Sequence, residues 1–273
     1  MRQRIITASA LVVGALLLLY FGGVVFAIAG TVCFLLALYE MHQALAKAGH
    51  RPVTWPTYLA MVLSIPIAQI FGPKTVVPIL MGSCLITIIC IIFRDEPTLE
   101  DILMSLIPLF SVVLPGLCII SLAQVEPLSV QRTLIGVLLV VPVLGDTCAF
   151  FVGSRMKGPK LCPAVSPNKT ISGAIGGLIG SVCGCMLVCL ISYLICAPTT
   201  HPFLPTWWQY LLLGLVGGVA SQMGDLFASM VKRHCGIKDY SNLFPGHGGM
   251  MDRLDSILFM SVVVYCFRLI TVP

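Results

Sequence analysis

A chain of 273 residues that is 58% hydrophobic and only 10% charged, with a mean hydropathy of +1.01 and a net charge of +5, carries too much apolar surface for a water-soluble core. Soluble domains average about 25% charged and about 45–50% apolar residues, so lipid must be the solvent for much of this chain. No polar stretch is long enough to build a separate soluble part, and no nucleic-acid partner is expected.

The chain opens on Met-Arg-Gln-Arg and an apolar run that resembles a signal peptide, with Ala27-Ile28-Ala29 mimicking a cleavage site. The apolar character resumes at once and continues to Tyr39, so an uncleaved helical hairpin turning at Gly22-Gly23 is the expectation. Further spans are predicted in order, giving the set 5–21, 24–46, 56–72, 75–93, 103–123, 131–153, 172–196, 207–231 and 253–271, each near the roughly 20 residues a membrane helix needs. The alternating pattern of a closed barrel, the other spanning option, is absent. The expected architecture is therefore all-α, a polytopic transmembrane helical bundle of about nine spans forming a single integral membrane domain. Its N-terminal helices would cover residues 1–130, and residues 131–273 would form a C-terminal half.

With nine spans, all but Lys74, Arg132 and Arg268 of the sixteen Lys and Arg fall on one side. The positive-inside rule then places the N-terminus and the long connections 154–171 and 232–252 in the cytoplasm. Most of the twelve cysteines lie inside apolar runs, where Cys packs as a small hydrophobe. Cys235 beside His234 is too small a set for a tetrahedral metal site. Gly173, Gly176, Gly177, Gly180 and Gly184 have the spacing of a close helix-packing face. The acidic connection 94–102 reads as a solvated loop.

Polar residues that packing does not explain gather in the C-terminal half. Asp225, Ser229 and Lys232 or Arg233 are spaced by about one helical turn and share a face. An acidic residue in a span marks either a site or an ion pair, here with Lys232 or Arg233. Lys238-Asp239 is followed by Phe244-Pro245-Gly246-His247-Gly248-Gly249 and Asp252-Arg253-Leu254-Asp255. Glycines at such a turn can offer backbone N–H groups to phosphate oxygens. Asp252 and Asp255 open the last helix, where two carboxylates plus phosphates suit Mg²⁺. A helix cap is the alternative for Asp252 and a loop hydrogen bond for His247. A second group lies at the end of the sixth span: Asp146, then the basic residues Arg155, Lys157, Lys160 and Lys169 within 154–171. Asp146 supports either a site or a buried pair, and the bases either bind anionic groups or serve topology.

Taken together, Ser229, Lys232-Arg233, Lys238-Asp239, Pro245, His247-Gly248-Gly249, Asp252-Arg253 and Asp255 resemble the signature of the phosphatidate cytidylyltransferase (CDP-diacylglycerol synthase) family, with its spacing. Tyr39-Glu40, Asp146-Thr147 and Ser166-Pro167-Asn168-Lys169-Thr170 resemble the family more weakly. Ile171-Ser172 stands where the family has an aromatic residue and Glu, and Phe150 where it often has Tyr.

The resemblance implies attack of phosphatidic acid on the α-phosphorus of CTP, with pyrophosphate leaving, in the phospholipid biosynthesis of a bacterial inner membrane. It implies Mg²⁺, with a monovalent cation such as K⁺ beside it, held first by Asp225 and Asp252 and then by Asp255. Lys232, Arg233 and Lys238 would hold phosphates, with Asp239 in the catalytic set. Ser229, His247, Gly248, Gly249, Arg253, Asp146 and Lys169 would contact substrate. CTP, phosphatidic acid and the bilayer are the expected partners, with a homodimer as the expected assembly. A CTP-dependent lipid or polyprenol kinase is the enzymatic alternative. A transporter would need a mid-membrane site and internal repeats, whereas the charges here collect at one end and no repeat is evident.

Overall fold

The computed structural model describes residues 2–196, 204–246 and 248–271. Its helices are α1 (Arg2–Phe21), α2 (Gly23–Lys47), α3 (Trp55–Phe71), α4 (Val76–Ile92), α5 (Leu99–Pro108), α6 (Leu114–Leu122), α7 (Leu128–Met156), α8 (Ile171–Ile195), α9 (Trp207–His234) and α10 (Met251–Thr271). Counting α5 and α6 as one rod, every expected span has a helix whose ends agree within four residues. The hairpin turn falls at Gly22 and Gly23, which have φ of 60° and 49°, a backbone that glycine adopts without penalty.

Among the described residues, six rods are long and apolar enough to cross a membrane: α2, Leu99–Leu122, α7, α8, α9 and α10. Helices α3 and α4 have 17 residues each, and the apolar part of α1 covers Val12–Phe21. Large apolar side chains stand exposed along these helices, among them Ile195 at 78% and Ile270 at 84%. That outward surface suits lipid and not water, and the chain is an integral membrane protein built of helices.

Two local features were not legible in the sequence. Between α5 and α6, Leu109–Val113 forms a π segment. Pro108 and Pro115 flank it, and the N–H that Pro115 lacks leaves the regular ladder one donor short there. Between α7 and α8, strands β1 (Lys160–Cys162) and β2 (Ser166–Thr170) pair antiparallel, a small hairpin where the sequence suggested only a loop. Thr170 then starts α8, its Oγ1 accepting the Gly173 N–H at 3.1 Å as an N-cap.

The chain divides into two compact units. Met1–Gln124 with Val231–Leu254 form the first, and Val125–Met230 with Asp255–Pro273 the second. The first has a core of Leu38, Met41, Leu45, Met61, Leu109 and Ile120, all fully buried. In the second, Leu134, Ile135, Leu138, Tyr210, Leu258 and Met260 are buried.

Also in the second unit, α7 and α8 run antiparallel in contact along their length, from Gly153 against Gly173 to Thr133 Oγ1 within 3.0 Å of Ser192 Oγ. The glycine stripe permits this approach. A Cβ added at Gly180 would lie 2.6 Å from Cys148 Cβ, and one at Gly176 would lie 2.6 Å from Val152 Cβ. Gly180→Leu is therefore expected to destabilise the pair by about 1–3 kcal/mol or more, as over-packing does. Thermal unfolding of detergent-solubilised protein checks this, with Gly82→Ala as the neutral control because nothing lies within 4 Å of a Cβ there. All twelve cysteines are free thiols, as their packing role implies.

Candidate active site

Two groups of polar residues stand out, one in each unit. In the first unit, α9 ends with Gly236 at φ 65° and Ile237 N–H donating to Lys232 O at 3.0 Å, a glycine-terminated helix end. This turns the chain into the segment 237–250, and Asp252 at the opening of α10 gathers that segment back. Its Oδ2 accepts the N–H groups of Tyr240 and Gly249, both at 2.9 Å, and its Oδ1 accepts Lys232 Nζ at 2.7 Å. The pair is well buried, with the Asp252 side chain 4% exposed and that of Lys232 14%. Lys232 Nζ also sits 5.6 Å from the centre of the Tyr240 ring, a cation–π contact.

The glycines of the turn have steric reasons of their own. Gly248 has φ +78°, and a Cβ on it would lie 2.8 Å from Asp252 Oδ2; a Cβ on Gly249 would lie 2.5 Å from Glu40 Oε2. Phe244 N–H donates to Gly248 O at 2.9 Å and closes the turn. The Gly249 N–H is taken up by Asp252, so in this conformation it serves the loop's own structure. Arg233, Lys238, Asp239 and Arg253 are exposed around it, and His247 lies outside the described residues. Cys235 is buried, and burial pushes its thiol up, leaving little thiolate for metal or nucleophilic chemistry.

Glu40 was not among the site residues read from the sequence. It comes from α2 and is 5% exposed. Its Oε1 accepts Ser241 Oγ–H at 2.5 Å and Met250 N–H at 2.9 Å, and its Oε2 accepts Met251 N–H at 2.8 Å. The available signal was a carboxylate near the end of a span, beside the Tyr39-Glu40 resemblance. Nothing local links it to a segment some two hundred residues on.

In the second unit, α7, the β-hairpin, α8 and α9 line an open cavity of about 460 Å³. Asp146, Phe150, Asn168, Lys169, Gln222 and Asp225 are among its lining residues. Lys169 Nζ lies 2.6 Å from Asp225 Oδ2, each side chain being 28% exposed. Ser229 Oγ is 3.5 Å from Asp225 Oδ1, the one-turn neighbour that the helix spacing predicted. The ion partner found differs from the ones the sequence offered: Asp225 pairs with Lys169. Gln222 Nε2 donates to Ala174 O at 3.0 Å and ties α9 to α8 beneath the cavity. Asp146 is an exposed wall residue of the cavity. Asp255 Oδ1 accepts the N–H of Ser256 at 2.7 Å.

Among the described residues, no three His, Cys, Asp or Glu side chains form a ready-made metal cage. Mg²⁺ does not require one, since it is commonly held by one or two carboxylates with substrate phosphates and waters. The donor chemistry fits. Asp225 has one oxygen on a lysine and the other in a long contact, so it can turn to a cation. Asp252 has Oδ2 engaged by two backbone N–H groups and Oδ1 by Lys232, so only Oδ1 could turn to a cation, and only as the lysine moves to a phosphate.

Membrane helices that carry, in each unit, a carboxylate–lysine pair define a membrane-embedded protein with polar groups that packing alone does not explain. The chain matches the cytidylyltransferase family over residues 2–271 and belongs to it. It is similar to the phosphatidate cytidylyltransferase of Synechocystis sp., 31% identical over 99% of this chain and 97% of that protein. It is also 38% identical over 122 residues to that of Brucella suis and 37% identical over 120 residues to that of Bacillus subtilis. Those two matches cover 45% and 44% of this chain and 42% and 41% of the relatives, so there the chain spans about two fifths of their length.

Proposed function

We propose that this protein transfers a cytidylyl group from CTP to phosphatidic acid, giving CDP-diacylglycerol and pyrophosphate. The observation that carries the reading is that Lys232, Gly249 and Asp252 of the matching signature meet in one hydrogen-bonded arrangement with Tyr240. A relative of matching length, named for this reaction, supports it.

In the proposed reaction a phosphate oxygen of the lipid attacks the α-phosphorus of CTP, and the bond from that phosphorus to the bridging oxygen of the β-phosphate breaks. The leaving group is pyrophosphate. A phosphomonoester is already anionic near neutral pH, so no general base is required. Positioning and charge neutralisation carry such a transfer. Lys232 would hold the triphosphate, with Arg233 and Lys238 as exposed cations along its approach. Lys169 would hold the lipid phosphate in the cavity that Phe150 borders on the apolar side. Asp225, then Asp252 through Oδ1 and Asp255, would hold Mg²⁺, with K⁺ as a second cation. When bound, the divalent ion would neutralise charge on the attacking and leaving oxygens.

The topology proposed with it is nine spans, N-terminus inside, in a bacterial inner membrane with the site facing the cytoplasm. Its support is the one-sided distribution of Lys and Arg. Purified protein given CTP, phosphatidate and Mg²⁺ is expected to release pyrophosphate and form a CDP-lipid, with loss of both under EDTA. Release of CDP with a newly phosphorylated lipid would point to a kinase and sink this reading.

A further inference from the structure

The N-terminus of α10 presents backbone N–H groups that its own first turn cannot satisfy. The usual remedy is a nearby Ser, Thr, Asn or Asp. The natural candidate, Asp252, turns back to Tyr240 and Gly249 and is bridged to Lys232. The N–H groups of Met250 and Met251 are taken instead by Glu40, a buried carboxylate brought in by α2. A carboxylate is also favoured there by the helix dipole. The same side chain accepts the Ser241 hydroxyl, near the start of the glycine-containing loop. All the acceptor contacts of Glu40 described here thus go to segment 241–251. Gly249 must lack a side chain to lie against its carboxylate.

We propose that Glu40 is a positioning residue for the nucleotide loop, tying Ser241 and the α10 N-terminus into the shape in which Lys232 and Asp252 meet CTP. The proposal rests on reading this loop as the CTP site. Glu40 is buried against the loop and acts through it. Gln at this position offers one carbonyl oxygen, and its amide donor would face backbone donors, so at least one of three acceptor contacts is lost. Ser241→Ala removes the hydroxyl contact to Glu40, together with the acceptor of the Leu243 N–H, and leaves the cap on α10 in place.

The test is steady-state kinetics on purified Glu40→Gln and Ser241→Ala, varying CTP and phosphatidate separately. Expected for Glu40→Gln is a CTP KM raised at least about tenfold, the size of a lost charge-assisted hydrogen bond, with the phosphatidate KM within about twofold of wild type. Ser241→Ala should shift the CTP KM in the same direction by about threefold. A general loss of folded protein would lower kcat and leave both KM values alone. Wild-type pyrophosphate release tests the parent reading by itself. With that release present, an unchanged CTP KM, or a phosphatidate KM that rises equally, overturns the role of Glu40. If Glu40→Gln does not accumulate in membranes, the Ser241→Ala result decides alone.

Discussion

Asp252→Ala is expected to lower CTP incorporation by at least about a hundredfold while the protein still inserts into membranes. The size follows from what its carboxylate does. Removing it strands the Lys232 ammonium in a site where the carboxylate was 4% exposed, and leaves the Tyr240 and Gly249 N–H groups without their acceptor. Breaking a buried pair by deleting one partner costs about 3–5 kcal/mol. The helices are held by their own apolar packing, so the damage should stay in the loop. Asp252→Asn separates two roles. Its carbonyl oxygen can still accept the two N–H groups, but it can neither neutralise Lys232 nor offer a charged oxygen to a cation. Inactivity of a folded Asn variant, read by pyrophosphate release, would assign the charge to the chemistry. Retention of more than half the activity would reduce Asp252 to a loop anchor.

The second large effect is expected at the Lys169–Asp225 pair. Lys169→Met keeps the stem that packs on the cavity wall and deletes the ammonium. We expect the KM for phosphatidate to rise at least about tenfold, with a much smaller change for CTP, because one charge-assisted contact to the lipid phosphate would be gone. Asp225→Asn should act on kcat instead, since the metal-holding oxygen would be lost while the cavity keeps its shape. Kinetics in mixed micelles with the lipid fraction varied would separate the two. An unchanged phosphatidate KM in Lys169→Met would show that the lipid phosphate binds elsewhere.

How legible this molecule was in its sequence depends on the distance over which each feature is determined. Helix ends were readable to within a turn because apolar runs near the roughly 20 residues a membrane helix needs alternate with short polar connections, and Gly22-Gly23 marks a reversal of chain direction. Ser229 above Asp225 was readable because one helical turn is local. The partner of Asp225 was not: Lys232 and Arg233 lay at plausible spacing, but Lys169 reaches it from a β-hairpin whose pairing depends on a bulged register between Lys160 and Cys162. Glu40 was illegible as part of the loop for the same reason, its partners being some two hundred residues away. The glycines of the turn looked like phosphate ligands. Their neighbours, two carboxylates, give them a steric reason that spacing alone could not reveal.

The backbone-to-backbone closeness of α7 and α8 bears on how variation in this chain should distribute. Where Gly176 and Gly180 face Val152 and Cys148 there is no slack volume, so even alanine alters how much protein reaches the bilayer intact. A saturation library scored twice, once for abundance and once for lipid product per molecule, should therefore resolve into two separate populations. Gly176 and Gly180 would appear chiefly in the abundance score, and the residues around Lys169 and Lys232 chiefly in the other.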